Sequence, residues 1–488
     1  MRVSRSRCLT ATVAAVAAAT LGCAIRPPNG AAGRAEPAAA RATADLWMTT
    51  ADATKLLARQ PDQPLTKAAP PPGTTLVVDD ATQYQEIVGF GAAMTDASAW
   101  LIENRMSASQ RDRLMQELFG RNPGLGLSFM RLTIGASDFS LHDYSFDDMP
   151  AGQTDPTLLH FSIDSSRAYV LPAVKQALVI NPRLKIMASP WSAPGWMKTT
   201  RSLVKGTLTA GGYPAFAEYL RRYVRAYEAE GVPIFALTVQ NEPHFEPENY
   251  PGMALDPPAR AKFLREHLGP LFARDGLQTR ILDWDHNWDQ PQSPLAVLAD
   301  SSARRYLAGV AWHCYNGDVS AQGVVHDAFP EKDAYFTECS GGNWSPDFAA
   351  NLQFFIGRLV IGSTRNWAKG ILLWNLALDE TYGPHLGGCA DCRGVVTIGS
   401  TTGLVTRNVE YYALAHASRF VRPGARRVAS SSDVDSVQSV AFRNGDDGSK
   451  VLIVLNTARV ERTVIVQWKN ESFSFVVPAG AAVTCHWA

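Results

Sequence analysis

The chain has no excess of either charge: 46 Lys and Arg stand against 46 Asp and Glu. That balance leaves no basic footprint for nucleic acid or an anionic membrane. Charge is also sparse, at 19% of residues against roughly 25% in ordinary domains, while 46% are hydrophobic, which excludes a disordered chain. Long apolar runs are missing. The run at 9–21 has about 13 residues, short of the roughly 20 that a permanent membrane-spanning helix needs. Cysteine is scarce, with seven at 8, 23, 314, 339, 389, 392 and 485, and the five beyond the first 23 residues are an odd number, which excludes complete pairing within the chain. Cys389-x-x-Cys392 reads as a local disulfide. His385 with these two would supply three zinc ligands, but a fourth is lacking nearby, so no metal is expected, and no cofactor.

What the chain does contain is organised. Arg2, Arg5 and Arg7 before the apolar run make residues 1–23 a secretory signal, and Thr20-Leu-Gly-Cys23 is an imperfect lipoprotein box that offers Cys23 for lipidation. The protein is therefore expected to be exported. Residues 24–44, rich in Ala, Pro, Gly and Arg, suit a flexible tether. Beyond them, short β-rich runs alternate with amphipathic helices. The candidate strands are 86–91, 129–133, 185–189, 235–240, 280–283, 310–313, 334–337 and 370–374, the number of a (β/α)8 TIM barrel over 85–408. Ser107-Ala-Ser-Gln110 is a capping box, and Phe216, Leu220, Tyr223, Val224 and Tyr227 form one face of a helix over 214–231.

After a helix at 411–420 the texture turns to short alternating strands, with Asn444-Gly-Asp-Asp-Gly448 as a hairpin turn. Residues 409–488 thus add a helix and an antiparallel β-sandwich too small for a comfortable core of its own. The strand-like Thr75-Leu-Val-Val78 places the segment 45–84 in that sandwich.

Catalytic groups of a barrel stand at the carboxyl ends of its strands. Those positions hold Arg131, Asp138, Trp191, Asn241, Glu242, His313, Tyr315, Glu338 and Trp374. Two carboxylates on one rim, with polar groups and tryptophans, are the parts needed to hydrolyse a glycosidic bond. Pro243 prevents the fourth strand from continuing and favours an extended backbone at Glu242. Cys314 and Cys339, one residue beyond functional positions, should point to the outer packing, as buried thiols or as a pair.

The chain resembles glycoside hydrolase family 30, the group that includes acid β-glucosidase (glucosylceramidase) and bacterial and fungal relatives. The resemblance rests on Val88-Gly-Phe-Gly-Ala-Ala-Met-Thr-Asp96, Phe129-Met-Arg-Leu-Thr-Ile-Gly-Ala-Ser-Asp138, Ala188-Ser-Pro-Trp191-Ser-Ala-Pro-Gly-Trp196, Thr238-Val-Gln-Asn-Glu242-Pro243, Thr337-Glu338 and Leu373-Trp374-Asn-Leu-Ala-Leu378. It implies a retaining mechanism, with Glu242 as acid/base and Glu338 as nucleophile. Asp138, Trp191, Asn241 and Trp374 would hold the sugar, His313 and Tyr315 would line its edge, and Arg131 would support Glu338. The implied substrate is a β-glucoside, glucosylceramidase-like, with a β-1,6-glucan as the alternative. The loops 245–250, 285–288 and 387–394 are similar to bacterial and fungal members rather than to the animal enzyme. A non-catalytic carbohydrate-binding protein is the rival of another class, and retention of both Glu242 and Glu338 speaks against it.

Overall fold

The computed structural model describes residues 42–488. The leader, most of the tether and Cys23 lie outside the described residues. Eight parallel strands close a barrel in chain order: Gly89–Ala93, Phe129–Ile134, Lys185–Pro190, Ile234–Thr238, Arg280–Asn287, Leu307–His313, Asp333–Glu338 and Ala368–Asn375. The first begins three residues later than the pattern suggests, because Glu86 ends a long strand of the other sheet, Thr74–Glu86. The fifth runs four residues further than expected, and the site depends on that extension.

Seven of the barrel strands send one residue each into a common apolar cluster, namely Phe129, Met187, Ala236, Leu282, Ala311, Tyr335 and Leu372. This plug fills the barrel interior, as such barrels require. Side chains two residues along a strand share a face. The next inward layer is therefore Arg131, Ser189, Thr238, His313, Thr337 and Trp374, so the polar floor of the site follows from strand parity.

The helices follow from their caps and faces. Ser107 and Gln110 form the capping box of Ala108–Phe119, and Gly120 ends that helix. In Gly212–Ala229 the face carrying Phe216, Leu220, Tyr223, Val224 and Tyr227 is buried. Each Phe, Leu or Val so withdrawn from water contributes roughly 1.5–3 kcal/mol.

The second sheet has nine strands, in the spatial order Ala58–Pro64, Thr43–Thr49, Ala482–Trp487, Lys450–Asn456, Val437–Arg443, Arg426–Ser432, Thr74–Glu86, Arg462–Trp468 and Glu471–Val477. A bridge between Thr66 and Ser472 joins its two margins. All pairings are antiparallel except that of Thr74–Glu86 with Arg462–Trp468. In Lys450–Asn456 the two faces are both buried: Leu452 and Val454 enter the sandwich core, while Val451, Ile453 and Leu455 join the barrel core. The helix Val409–Ser418 packs with the barrel core, and its buried His416 bridges the hydroxyls of Thr49 and Thr484 at 2.9 and 2.8 Å. Burial pushes that imidazole down to about 3, so it stays neutral.

Candidate active site

The floor of the site is organised by a residue that strand alternation does not reveal. Asp283 and Asp285 should share one face of the fifth strand. Asp283 instead pairs with Arg260 at 2.8 Å, while Asp285 points into the barrel. The reversal comes from a bulge: Trp284 and Asp285 have left-handed backbones, φ +75° and +55°, where the register with the sixth strand slips. Asp285 then accepts hydrogen bonds from Arg131 (2.8 Å), Ser189 (2.7 Å), Thr238 (2.7 Å), Thr337 (2.7 Å) and His313 (3.0 Å). Burial alone would raise its carboxyl, but Arg131, His313 and Thr238 outweigh that and hold it far below the usual range.

Arg131, fully buried, divides its guanidinium among Asp285, Asn241 Oδ1 (2.7 Å), Ser189 (3.1 Å) and Glu338. Tyr315 donates its hydroxyl to the other oxygen of Glu338 at 2.9 Å. Glu338 is thus fixed at both oxygens by donors. Glu242 emerges beyond the fourth strand with a left-handed backbone, φ +45°, rather than the extended one that Pro243 suggests. Its N–H donates to the Asp285 carbonyl at 3.0 Å, and that tie, together with the Asn241 N–H to the Pro190 carbonyl at 2.8 Å, overrides the local preference.

His313 sits between the two halves of this network, donating Nδ1–H to Glu242 at 3.1 Å and Nε2–H to Asp285 at 3.0 Å. Burial pulls its basicity down, but the negative charges of Glu338, Asp285 and Glu242 push it up to about 9. The ring is an imidazolium at neutral pH. Its side chain is fully buried and does not line the cavity at whose edge the sequence placed it. Glu242 is raised above the ordinary range by burial and the charge of Glu338, against the lowering influence of His313. His313→Gln removes the positive charge that lowers Glu242, so the titration of the Glu242 carboxyl, followed by NMR, moves to higher pH. A raised histidine stabilises the fold fully below its unfolded value of about 6.5, and this is lost as pH rises through about 9. The stability gap between wild type and His313→Gln, read from chemical denaturation, accordingly narrows across that window.

Glu242, His313 and Glu338 bring three ligand-type atoms within 4.8 Å of one another. A cation does not suit them, because the protonated imidazole has given both N–H groups to carboxylates and keeps no lone pair.

The cavity above this floor has a volume of about 500 Å³. Asp138, Glu242, Tyr315, Glu338, Trp374, Cys389 and Cys392 line it, whereas Arg131, Trp191, Asn241 and His313 stand behind that lining. Trp191 stacks under Trp374 with centroids 5.0 Å apart, and the Arg131 guanidinium lies 4.8 Å from the Trp191 ring. Asp138 is pushed well above the usual carboxylate range by burial and by the charges of Glu338 and Glu242.

Cys389 and Cys392 are bonded to each other, and so are Cys314 and Cys339, with Cα atoms 5.4 Å apart. The second bond is one of the two outcomes the sequence left open for these residues, and both are buried in the packing outside the barrel plug. Both lie one residue past their strand ends. It ties together the chain just after His313 and Glu338. Replacing both Cys314 and Cys339 by Ser is expected to cost roughly 3 kcal/mol in denaturant unfolding, from the loop-closure entropy of a 25-residue separation.

Sequence reading did not place Asp285 inward, a direction the bulge hides, and it missed Trp344; it singled out the loop 245–250 without assigning Phe245 and Tyr250 to the cavity wall that they complete with Trp344. A tryptophan directly after Gly341-Gly-Asn343 was a usable signal, since a large ring in a glycine-rich loop past a barrel strand has little core to enter.

A barrel rim bearing two carboxyl groups, one firmly held by donors and one raised toward protonation, above a tryptophan-floored cavity, defines a glycoside hydrolase. Residues 87–421 match the glycosyl hydrolase family 30 TIM-barrel domain and residues 424–485 the family 30 beta sandwich domain. The chain belongs to glycosyl hydrolase family 30. It is 37% identical over 437 residues to the endo-1,6-beta-D-glucanase neg1 of Aspergillus fumigatus, covering 84% of this chain and 87% of that protein. It is 27% identical to the lysosomal acid glucosylceramidase of Mus musculus, covering 84% and 82%. Among solved structures, the endo-beta1,6-glucanase BT3312 superposes with a TM-score of 0.83 at 31% identity, over 91% of this chain and 99% of that one.

Proposed function

We propose that this enzyme cleaves β-1,6-linked glucan by a retaining double displacement, with Glu338 as nucleophile and Glu242 as acid/base. The observation that carries the mechanism is the approach of the two carboxyl groups, an oxygen of each lying within 4.8 Å of one on the other. Retaining enzymes keep their carboxyls about 5 to 5.5 Å apart, while inversion needs about 6.5 to 9.5 Å to admit a water. Glu338 attacks the anomeric carbon as Glu242 protonates the departing glycosidic oxygen, leaving a glycosyl ester on Glu338. With Glu338 esterified, the charge that raises Glu242 is gone. Glu242 then takes a proton from the water that attacks the same carbon and frees Glu338. His313 occupies one oxygen of Glu242, which assigns the travelling proton to the other. Asn241, with its Oδ1 taken by Arg131, keeps its amide N–H groups for the sugar 2-hydroxyl, while Asp138 and Trp374 hold the ring.

For the substrate, the higher identity to endo-1,6-glucanases than to the mouse glucosylceramidase supports the glucan over glucosylceramide. The loops 245–250 and 387–394, which depart from the animal enzyme, both reach the cavity lining and support the same choice. Export fits the two disulfides. No helix among the described residues is long and apolar enough to cross a membrane. The test is product analysis by NMR with β-1,6-glucan, glucosylceramide and an aryl β-glucoside. We expect β-configured oligosaccharides from the glucan as first products. An initial α-anomer overturns retention, and hydrolysis of glucosylceramide without glucan cleavage overturns the substrate.

A further inference from the structure

A second cavity, of about 600 Å³, adjoins the catalytic one. The two meet at Tyr315 and Trp344, which line both. We propose that this neighbouring cavity binds glucosyl units on the leaving side of the bond that is cut, and that Trp344 and Tyr315 form the platform over which the chain passes. The inference rests on the glucan reading above and specifies where the rest of that chain lies.

Trp344 is 55% exposed and Tyr315 46% exposed, so two large rings stand in water at a cavity mouth. Apolar surface left out in this way marks a binding site when it is held in place. The Trp344 loop is built to hold it. Gly341 and Gly342 pair with Cys392 and Arg393, and the Asn343 N–H donates to the Asp391 carbonyl at 2.9 Å. The indole lies directly on Gly342, where a Cβ would come within 1.9 Å of a ring carbon. A Cβ on Gly341 would strike the carboxylate of Glu410, itself gripped by Arg393 at 2.8 Å. Both glycines are therefore needed for the ring to lie where it does.

The lining beyond the platform mixes Phe354 and Phe355 with Asn316, Ser345, Asn351 and Arg358. Arg358 Nε is buried without a hydrogen-bond partner. Rings for stacking beside scattered polar groups for hydroxyls are the chemistry that recognises a neutral sugar. The direction follows from burial. The Trp191–Trp374 stack is closed in at the bottom of the catalytic cavity, with each ring 3% exposed, so the sugar under attack rests there and the leaving portion goes out through the mouth. A 1,6-linkage, with its additional rotatable bond through C6, lets the chain bend across Trp344 from one cavity to the other.

The test compares Trp344→Ala and Gly342→Ala with wild type on β-1,6-linked gluco-oligosaccharides of two to five units and on an aryl β-glucoside. Gly342→Ala keeps the indole but displaces it. Both variants should lose about tenfold or more in kcat/KM on the four- and five-unit oligosaccharides beyond whatever they lose on the aryl glucoside, flattening the gain with chain length. Equal losses on both substrates, or an unchanged chain-length profile, overturn the subsite. If wild type hydrolyses the aryl glucoside but no β-1,6-oligosaccharide, the substrate reading itself has failed and the subsite falls with it.

Discussion

Glu338→Gln is expected to reduce hydrolysis of an aryl β-glucoside about ten-thousandfold or more, with the protein still folded. Glutamine keeps the size of the side chain and can still accept from Tyr315, but it cannot displace an aglycone from the anomeric carbon. The fold should survive because Arg131 retains its second buried partner, Asp285, at 2.8 Å. Loss of activity alone does not assign a nucleophile, so the stereochemistry of rescue is the sharper readout. In Glu338→Gly, azide can enter from the vacated face and displace an activated leaving group in one step, giving an α-glycosyl azide. In Glu242→Gly, azide attacks after the glycosyl ester has formed on Glu338 and gives the β-azide. Opposite azide anomers from the two variants establish both roles. A Glu338→Gln enzyme with more than about a tenth of wild-type activity removes the assignment.

The second large effect concerns Arg131. Its replacement by Met leaves Asp285 without its main counter-charge and Glu338 with Tyr315 as its only remaining close donor. Breaking a buried pair on one side costs about 3–5 kcal/mol, because the stranded charge keeps its desolvation penalty. The midpoint of denaturant unfolding at neutral pH should fall accordingly. Asp285, with the guanidinium removed, loses its strongest lowering influence. Asp285→Asn in the Arg131→Met background should therefore recover part of the stability while leaving the enzyme inactive. If Arg131→Met unfolds like wild type, the guanidinium does not hold the floor together.

Most of the barrel was legible because its physics is local. Parity places Arg131, Thr238, His313 and Trp374 on the inward face once the strands are found, and proline after Glu242 marks a strand end. The sandwich strands alternate in the same way, and the segment around Thr75-Leu-Val-Val78 announces a strand that the small carboxy-terminal sheet lacks. What escaped depends on non-local geometry. Asp285 is visible as a residue but not as an inward one, since the bulge at Trp284 is fixed by the register with the sixth strand. His313 was legible as a rim residue, but its withdrawal behind Glu242 requires Asp285 to be known. The left-handed backbone of Glu242 likewise results from hydrogen bonds to the fifth and third strands and not from its own sequence.

The pairing of Ala44 with Trp487 sets the order in which the molecule can be assembled. During synthesis Thr43–Thr49 emerges long before its partner strand Ala482–Trp487. The first strand therefore waits, unpaired on that side, while the whole barrel is produced between the two. Closure is also the step that covers the strand Lys450–Asn456, on the other side of Ala482–Trp487. Chains ending short of residue 482 would thus carry two open β-edges in the middle of a nine-stranded sheet, surfaces that favour association with other chains. The strand Ala482–Trp487 therefore acts as a check that the barrel before it has been made.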